Sequence, residues 1–264
     1  MLEIKHVSKT FNPGTVTEKK AVSDLNLKIE DGQFITVIGG NGAGKSTMLN
    51  LIAGVYPPDC GRIIMDGVDL SLMPEHKRAT YIGRVFQDPL MGTAADMEIS
   101  ENLAFAARRG KKRTLAWGIG KQEAIDYKEK LASLGLGLED RLSNKVGLLS
   151  GGQRQALTLL MASLQQPRLL LLDEHTAALD PLTAKKVLEL TDQIVRSNNL
   201  TTLMITHNMN DAIRMGNRLI MLYDGKIIFD VSGEEKSKLT VEDLHHKFRE
   251  AAGEEFADDR AVLV

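Results

Sequence analysis

Gly39, Gly44, Lys45 and Ser46 occupy the fixed positions of G-x-x-x-x-G-K-[ST], inside the run Gly39-Gly40-Asn41-Gly42-Ala43-Gly44-Lys45-Ser46-Thr47. Glycines at this density let successive backbone N–H groups turn toward an anion, and a helix N-terminus after them adds partial positive charge. Lys45 is placed to reach the β- and γ-phosphates of a nucleoside triphosphate, and the Ser46 hydroxyl to ligate Mg²⁺. Further along, Leu169-Leu170-Leu171-Leu172 is followed directly by Asp173-Glu174. That spacing puts a carboxylate at the C-terminal edge of a buried strand, where α/β sheets bind ligands. Asp173 would hold the Mg²⁺ shell. Glu174 would orient and partly deprotonate an attacking water.

A second glycine cradle lies in Leu149-Ser150-Gly151-Gly152-Gln153-Arg154-Gln155, at the start of a helix read as 155–164. One nucleotide does not need two anion-binding helix N-termini in one chain. Two copies packed head-to-tail would use both, each lending its Ser-Gly-Gly to the other's γ-phosphate.

The elements that must carry these residues are legible from hydrophobic period and turn chemistry. Residues 34–38 read as a buried strand before the phosphate loop, and 48–53 as a helix after it, closed by Gly54. Residues 2–7 and 25–29 alternate as half-buried strands, with a turn-rich loop from Thr10 to Thr15 between them. Asp66-Gly67 and Asp224-Gly225 are expected to turn hairpins joining 62–65 to 68–70 and 218–223 to 226–231. Residues 81–86 form a further strand; helices open at Ser100 and Lys121, with the basic run 108–113 between them. Residues 183–197 read as an amphipathic helix and 201–206 as a strand. Thr240-Val241-Glu242-Asp243 resembles a capping box for a helix to about Ala252, and the acidic tail beyond Gly253 is expected to be loose.

Composition narrows the setting. Lys+Arg 33 against Asp+Glu 35 gives a net charge of −2, which lends no support to a global nucleic-acid footprint. The single Cys60 excludes an internal disulfide and any CxxC zinc site. Neither a signal-peptide core at the start nor an apolar run of spanning length is seen, so a soluble, cytoplasmic chain is expected, with any membrane role coming through a partner.

Leu-Ser-Gly-Gly-Gln at 149–153, placed between the phosphate loop and the Asp-Glu strand, resembles the signature of the ATP-binding-cassette (ABC) ATPases. The resemblance implies an α/β fold: a P-loop NTPase core with a RecA-like mixed sheet, flanking helices and an antiparallel β subdomain, plus an inserted helical subdomain. One cassette domain is expected over 1–264, with the core in 1–89 and 166–252, the helical subdomain in 90–165 and the tail in 253–264. By the same resemblance Gln87 is the Q-loop glutamine, meeting Mg²⁺ and a transmembrane partner. Asp180, in Ala178-Leu179-Asp180, matches the D-loop that crosses the dimer interface, and His207 the switch histidine at the γ-phosphate. Phe11 stands where the family stacks an aromatic on adenine. The catalytic set implied is Glu174, His207 and Gln87. ATP would bind at Phe11 and at Gly39, Gly40, Asn41, Gly42, Ala43, Gly44, Lys45, Ser46 and Thr47. Ser150, Gly151, Gly152 and Gln153 would touch the partner's ATP, and Ser46, Gln87 and Asp173 would hold Mg²⁺. One position departs from the pattern: His175 follows Asp173-Glu174 where the family usually has proline.

The segments Gln87-Asp88-Pro89-Leu90-Met91-Gly92-Thr93 and Asp173-Glu174-His175-Thr176 look like the ATPase subunits of a bacterial importer group with tryptophan- and tyrosine-linked members. The resemblance implies the ATP-hydrolysing subunit of an importer, dimerising head-to-tail around two MgATP on the cytoplasmic face of the membrane. A separate integral-membrane permease and, indirectly, a substrate-binding protein would be its partners, with no nucleic acid. ATP is favoured over GTP because Asn144-Lys145-Val146-Gly147 lacks the aspartate of a guanine motif. The alternative is a non-transport ABC ATPase. DNA-repair members insert long coiled coils where Lys45 and Ser150 here stand too close, and translation factors carry two cassettes per chain.

Overall fold

The computed structural model describes residues 1–111 and 118–252. The expected tail, 253–264, and the basic residues Lys112 and Arg113 lie outside the described residues. In chain order the elements are β1 (Leu2–Phe11), β2 (Lys19–Ile29), β3 (Phe34–Ile38), α1 (Lys45–Ala53), β4 (Cys60–Met65), β5 (Val68–Asp69), α2 (Glu75–Arg78) and β6 (Ile82–Val85). Then follow α3 (Ile99–Ala107), α4 (Lys121–Ala132), α5 (Gly151–Ser163), β7 (Leu169–Asp173), α6 (Pro181–Ser197) and β8 (Thr202–Ile205). The last are α7 (Met209–Arg214), β9 (Arg218–Tyr223), β10 (Lys226–Ser232), α8 (Gly233–Ser237) and α9 (Val241–Ala252). The chain divides into two compact units: 1–78 with 200 onward, and 79–199.

The first unit holds an antiparallel sheet in the order β2-β1-β4-β5 and the strands β10-β9-β3-β8, with β3 parallel to both neighbours. All five residues of β3 are buried, which is why it reads as a nearly continuous apolar, β-branched run instead of an alternation; the Thr36 hydroxyl at its middle donates to Ala212 O at 2.8 Å. Both hairpins turn where expected. Asp66 and Gly67 have φ of 48° and 79°, Asp224 and Gly225 of 44° and 71°, the paired positive values of a type I′ turn. The first two strands run longer than their alternation suggests: β1 continues to Phe11 and β2 begins at Lys19. Register shifts after Ile4, Val7 and Lys9 break the period of two, so the ladder outlives the pattern. Helix α1 likewise begins at Lys45, three residues before its apolar stretch, because Gly44 turns the chain into it at a φ of 100°. Its C-terminal end is held by Arg78. That guanidinium is 1% exposed and donates to the carbonyls of Leu51 at 2.7 Å and Ile52 at 2.9 Å, and to Met73 and Ser71. A cation there satisfies orphan carbonyls and complements the negative helix end.

The second unit pairs β6 with β7 in parallel, Ile82 opposite Leu169 and Val85 opposite Leu172. Its helices bury Leu103, Tyr127, Leu131, Ala156, Leu157 and Leu160 together, with Leu190 and Ile194 of α6 packed against them. Two of its helices are capped reciprocally. Glu98 and Glu101 close the start of α3, and Ser150 and Gln153 that of α5. The second cap starts α5 at Gly151, four residues before the expected start at Gln155. The described part of the basic run is tied into this unit. Arg108 donates to Glu123 at 2.8 Å, and Arg109 reaches the Ala162 carbonyl at the end of α5. Burial pulls the Arg109 pKa down.

Candidate active site

Between β3 and α1 the phosphate loop is held from three sides. Strand β2 passes so close that a Cβ at Gly44 would strike the Ala21 carbonyl oxygen. The turn of the last hairpin donates from Gly225 N to Ala43 O at 3.0 Å, and Ser23 N donates to Gly225 O at 2.9 Å. From helix α9, the Phe248 ring reaches within 3.3 Å of where a Cβ at Gly40 would lie, and it meets Tyr223 edge-on at 5.7 Å. Lys45 folds back over the loop, its Nζ donating to Gly39 O at 2.7 Å and Gly40 O at 3.1 Å. Ser46 is exposed in the first turn of α1. Phe11, at the end of β1, meets Tyr56 edge-on at 5.2 Å.

In the second unit, the register of β6 and β7 sets the chemistry at one end of the pair. Gln87 and Glu174 each lie two residues past the paired Val85 and Leu172. Asp173 is met by Arg84, Nη2 to Oδ2 at 3.3 Å, both side chains mostly buried. The Arg84 guanidinium also stands 4.5 Å over the Phe86 ring. Glu174 has a φ of 43°, a left-handed conformation that costs a non-glycine residue energy and concentrates at functional positions.

The signature helix packs its glycines against the segment on either side of Asp180. A Cβ at Gly152 would collide with the Thr183 methyl, and one at Gly151 would lie 3.2 Å from Leu179. Asp180 is the N-cap of α6, accepting from Thr183 N at 3.0 Å, and this bonding holds its carboxyl below the usual range. Ser150 and Gln153 spend side-chain bonds on each other's backbone while Ser150 stays exposed.

His207 is exposed just past β8, with Asn208 capping α7 behind it. Asp211, on that helix, is pushed up by burial, against the pull of Arg214 and His207.

Residues 22–177 match the family described as ABC transporter. Over 256 residues the chain is 46% identical to a tyrosine transport ATP-binding protein of Clostridioides difficile (strain R20291), covering 95% of this chain and 100% of that one. The chain belongs to the ABC transporter family. It is 34% identical to the spermidine/putrescine import ATP-binding protein PotA of Haemophilus influenzae, across 89% of this chain but 59% of that longer protein. A solved ATP-binding cassette dimer in a post-hydrolysis state, bound to ADP and Pi, superposes with a TM-score of 0.74 at 28% identity, covering 88% of this chain and 98% of that one. The α/β cassette fold and the ATPase activity in transport expected from the sequence are borne out by this membership.

Within this ABC ATPase, Phe11, residues 39–47 and His207 belong to the first unit. Gln87, residues 150–153, Asp173, Glu174 and Asp180 belong to the second. No group of three or more His, Cys, Asp or Glu able to hold a metal occurs among the described residues. The expected Mg²⁺ donors are instead a hydroxyl, an amide and a carboxylate, all oxygen ligands of the hard kind this ion takes. Arg84 and Phe248 were missed by sequence reasoning. An arginine inside the apolar Ile82-Gly83-Arg84-Val85 was the available signal for the first, since a buried cation implies a partner. Leu244 and Phe248, four apart, mark the inner face of α9 without saying what it covers.

Proposed function

We propose that this chain is the ATP-hydrolysing subunit of an importer, and that two copies close head-to-tail on two MgATP to drive a separate membrane permease. The observation that carries the two-chain reading is the exposed, capped N-terminus of α5. Ser150 and Gly151 face solvent there, although 39–47 already supplies one phosphate cradle. Lys45 would leave the Gly39 and Gly40 carbonyls for the β- and γ-phosphates, while Ser46, Gln87 and Asp173 would hold Mg²⁺. The bound ion would neutralise charge on the phosphate oxygens. Glu174 would take the proton of the attacking water, and His207 would contact the γ-phosphate. The relative named for tyrosine transport supports an amino acid such as tyrosine as the cargo; a substrate-binding protein would deliver it to the permease. No helix among the described residues is long and apolar enough to cross a membrane, which fits attachment to its cytoplasmic face through that permease.

Glu174→Gln tests the reading. Glutamine keeps the size but cannot accept the proton, so turnover should fall by roughly two to four orders of magnitude, the worth of a general base. ATP should then convert the isolated subunit from monomer to dimer in size exclusion with light scattering. Adding Ser150→Arg should abolish that dimer by filling the cradle offered to the other copy. Wild-type turnover in Glu174→Gln would remove Glu174 as the base. Undiminished dimerisation with Ser150→Arg would remove the composite site.

A further inference from the structure

Strand β2 lies along the phosphate loop, and its first residue is a lysine. A Cβ at Gly42 would lie 2.9 Å from Lys19 Nζ and 4.0 Å from its Cε, just as one at Gly44 would strike the carbonyl of Ala21. Residues two apart share a strand face. The edge of β2 carrying 19 and 21 therefore tracks the loop at 42 and 44, and Lys20 between them projects to the opposite face. Gly42 is exposed and so is Lys19, so the space beside this ammonium is open to a ligand. Among the described residues Lys19 has no ion-pair or hydrogen-bonding partner for its side chain. Across the β1–β2 ladder its direct register partner is Phe11.

We propose that Lys19 is a nucleotide-binding residue whose ammonium contacts the α-phosphate of ATP. The proposal rests on the nucleotide-site reading above and adds a cation that the loop motif does not contain. The order of groups along ATP assigns the phosphate. Base, ribose and the α-, β- and γ-phosphates follow one another, and Lys45 serves the β–γ end. An adenine at Phe11 and phosphates at 39–47 then bracket Lys19, which borders the loop from the strand pair that carries Phe11. A lysine suits this role as a compact point charge on a flexible stem, able to meet a single phosphate without bidentate geometry.

Titration calorimetry of the full chain with MgATP and MgADP decides the matter. Lys19→Ala should weaken both nucleotides by the same factor, roughly three- to tenfold, since both carry the α-phosphate. Adenosine binding should not change. Lys19→Arg should retain most of the affinity, and the variant without the charge should lose less affinity as salt rises. Lys20→Ala, which removes the same charge from the other face, should bind as the wild type does. Unchanged affinity in Lys19→Ala, or an equal loss in Lys20→Ala, overturns the proposal. So does a loss for ATP alone, which would place the contact on the γ-phosphate. Lys45→Ala run alongside separates the two levels. If it binds ATP as the wild type does, the phosphate-loop reading itself fails; if it loses binding while Lys19→Ala does not, only Lys19 is excluded.

Discussion

His175 Nε2 lies 2.9 Å from Thr191 Oγ1, joining the turn after Glu174 to the middle of α6 with both side chains buried. The Thr191 hydroxyl donates to Val187 O at 2.8 Å, so its oxygen is left to accept, and the histidine must carry its proton on Nε2. Where the family usually fixes this turn by the locked φ of proline, this chain uses a buried ring bonded into a helix. The anchor is different in kind: it can be broken by acid.

Burial pushes the His175 pKa down to about 4 from the ordinary 6.5. The unfolded chain therefore binds a proton between pH 6.5 and 4 that the native protein refuses. The stability this residue contributes is complete above 6.5 and is lost as pH falls toward 4. From pH 7.5 to 5 the expected loss is about 2 kcal/mol from this one group. His175→Gln keeps a donor toward Thr191 and removes the titration. Urea unfolding at both pH values should show the variant losing about 2 kcal/mol less than the wild type. Equal losses in the two proteins would mean that His175 is not a refused proton.

Arg84 makes the second prediction. Its contact with Asp173 brings a cation to the carboxylate expected to serve Mg²⁺. Arg84→Met keeps the stem packed near Phe86 and withdraws the charge, leaving Asp173 mostly buried with less compensation. Stability without nucleotide should drop by about 1–3 kcal/mol, because a mostly buried carboxylate loses a charged hydrogen-bonding partner. MgATP should restore more stability to this variant than to the wild type, since the ion supplies positive charge where the guanidinium did. Thermal unfolding with and without MgATP measures both effects. A variant as stable as the wild type in both conditions would show that the pair carries no weight.

Phe248 makes the third. Its ring seals the Gly40 side of the phosphate loop from a helix at the far end of the chain. Phe248→Ala should lower stability by about 1–3 kcal/mol, less than a fully buried phenylalanine, which costs about 3–5 kcal/mol. It should also speed nucleotide release, since the loop loses a wall. Stopped-flow displacement of a fluorescent ATP analogue reads the rate; an unchanged rate would confine Phe248 to folding alone.

The site was legible wherever a motif forces its own geometry. Gly44 leads straight into α1, Asp-Gly turns both hairpins, and Asp173 ends an unbroken leucine strand. Physics hid the rest in two ways. Lys19 fell outside both expected strands, 2–7 and 25–29, because the β1–β2 ladder beyond Val7 is bulged and half-exposed, so no period marks it as strand. Phe248 and Gly40 meet across more than two hundred residues of sequence, and no local pattern records such a contact. The left-handed backbone of Glu174, just past β7, is likewise a tertiary outcome, since nothing in Leu-Asp-Glu-His announces a positive φ.

The last prediction separates two reasons for a glycine at 152. One is internal: a Cβ there would collide with Thr183 Cγ2, so α5 can start against α6 only without a side chain. The other is the expected approach of a partner copy's nucleotide to the same helix end. Gly152→Ala alone should cost about 1–3 kcal/mol, the range for overpacking a tight contact. Thr183→Ser removes the offending methyl and keeps the hydroxyl. The double variant should therefore recover most of the stability, giving a favourable coupling of about 1 kcal/mol or more in a double-mutant cycle. Dimer formation is the second readout, measured by light scattering with ATP in the Glu174→Gln background. A double variant that is stable and still dimerises would make the glycine a packing requirement within one chain. One that is stable yet fails to dimerise would assign the missing Cβ to the partner's phosphate. Absence of any stability coupling would mean that the Thr183 methyl simply turns aside, and that the contact does not dictate the glycine.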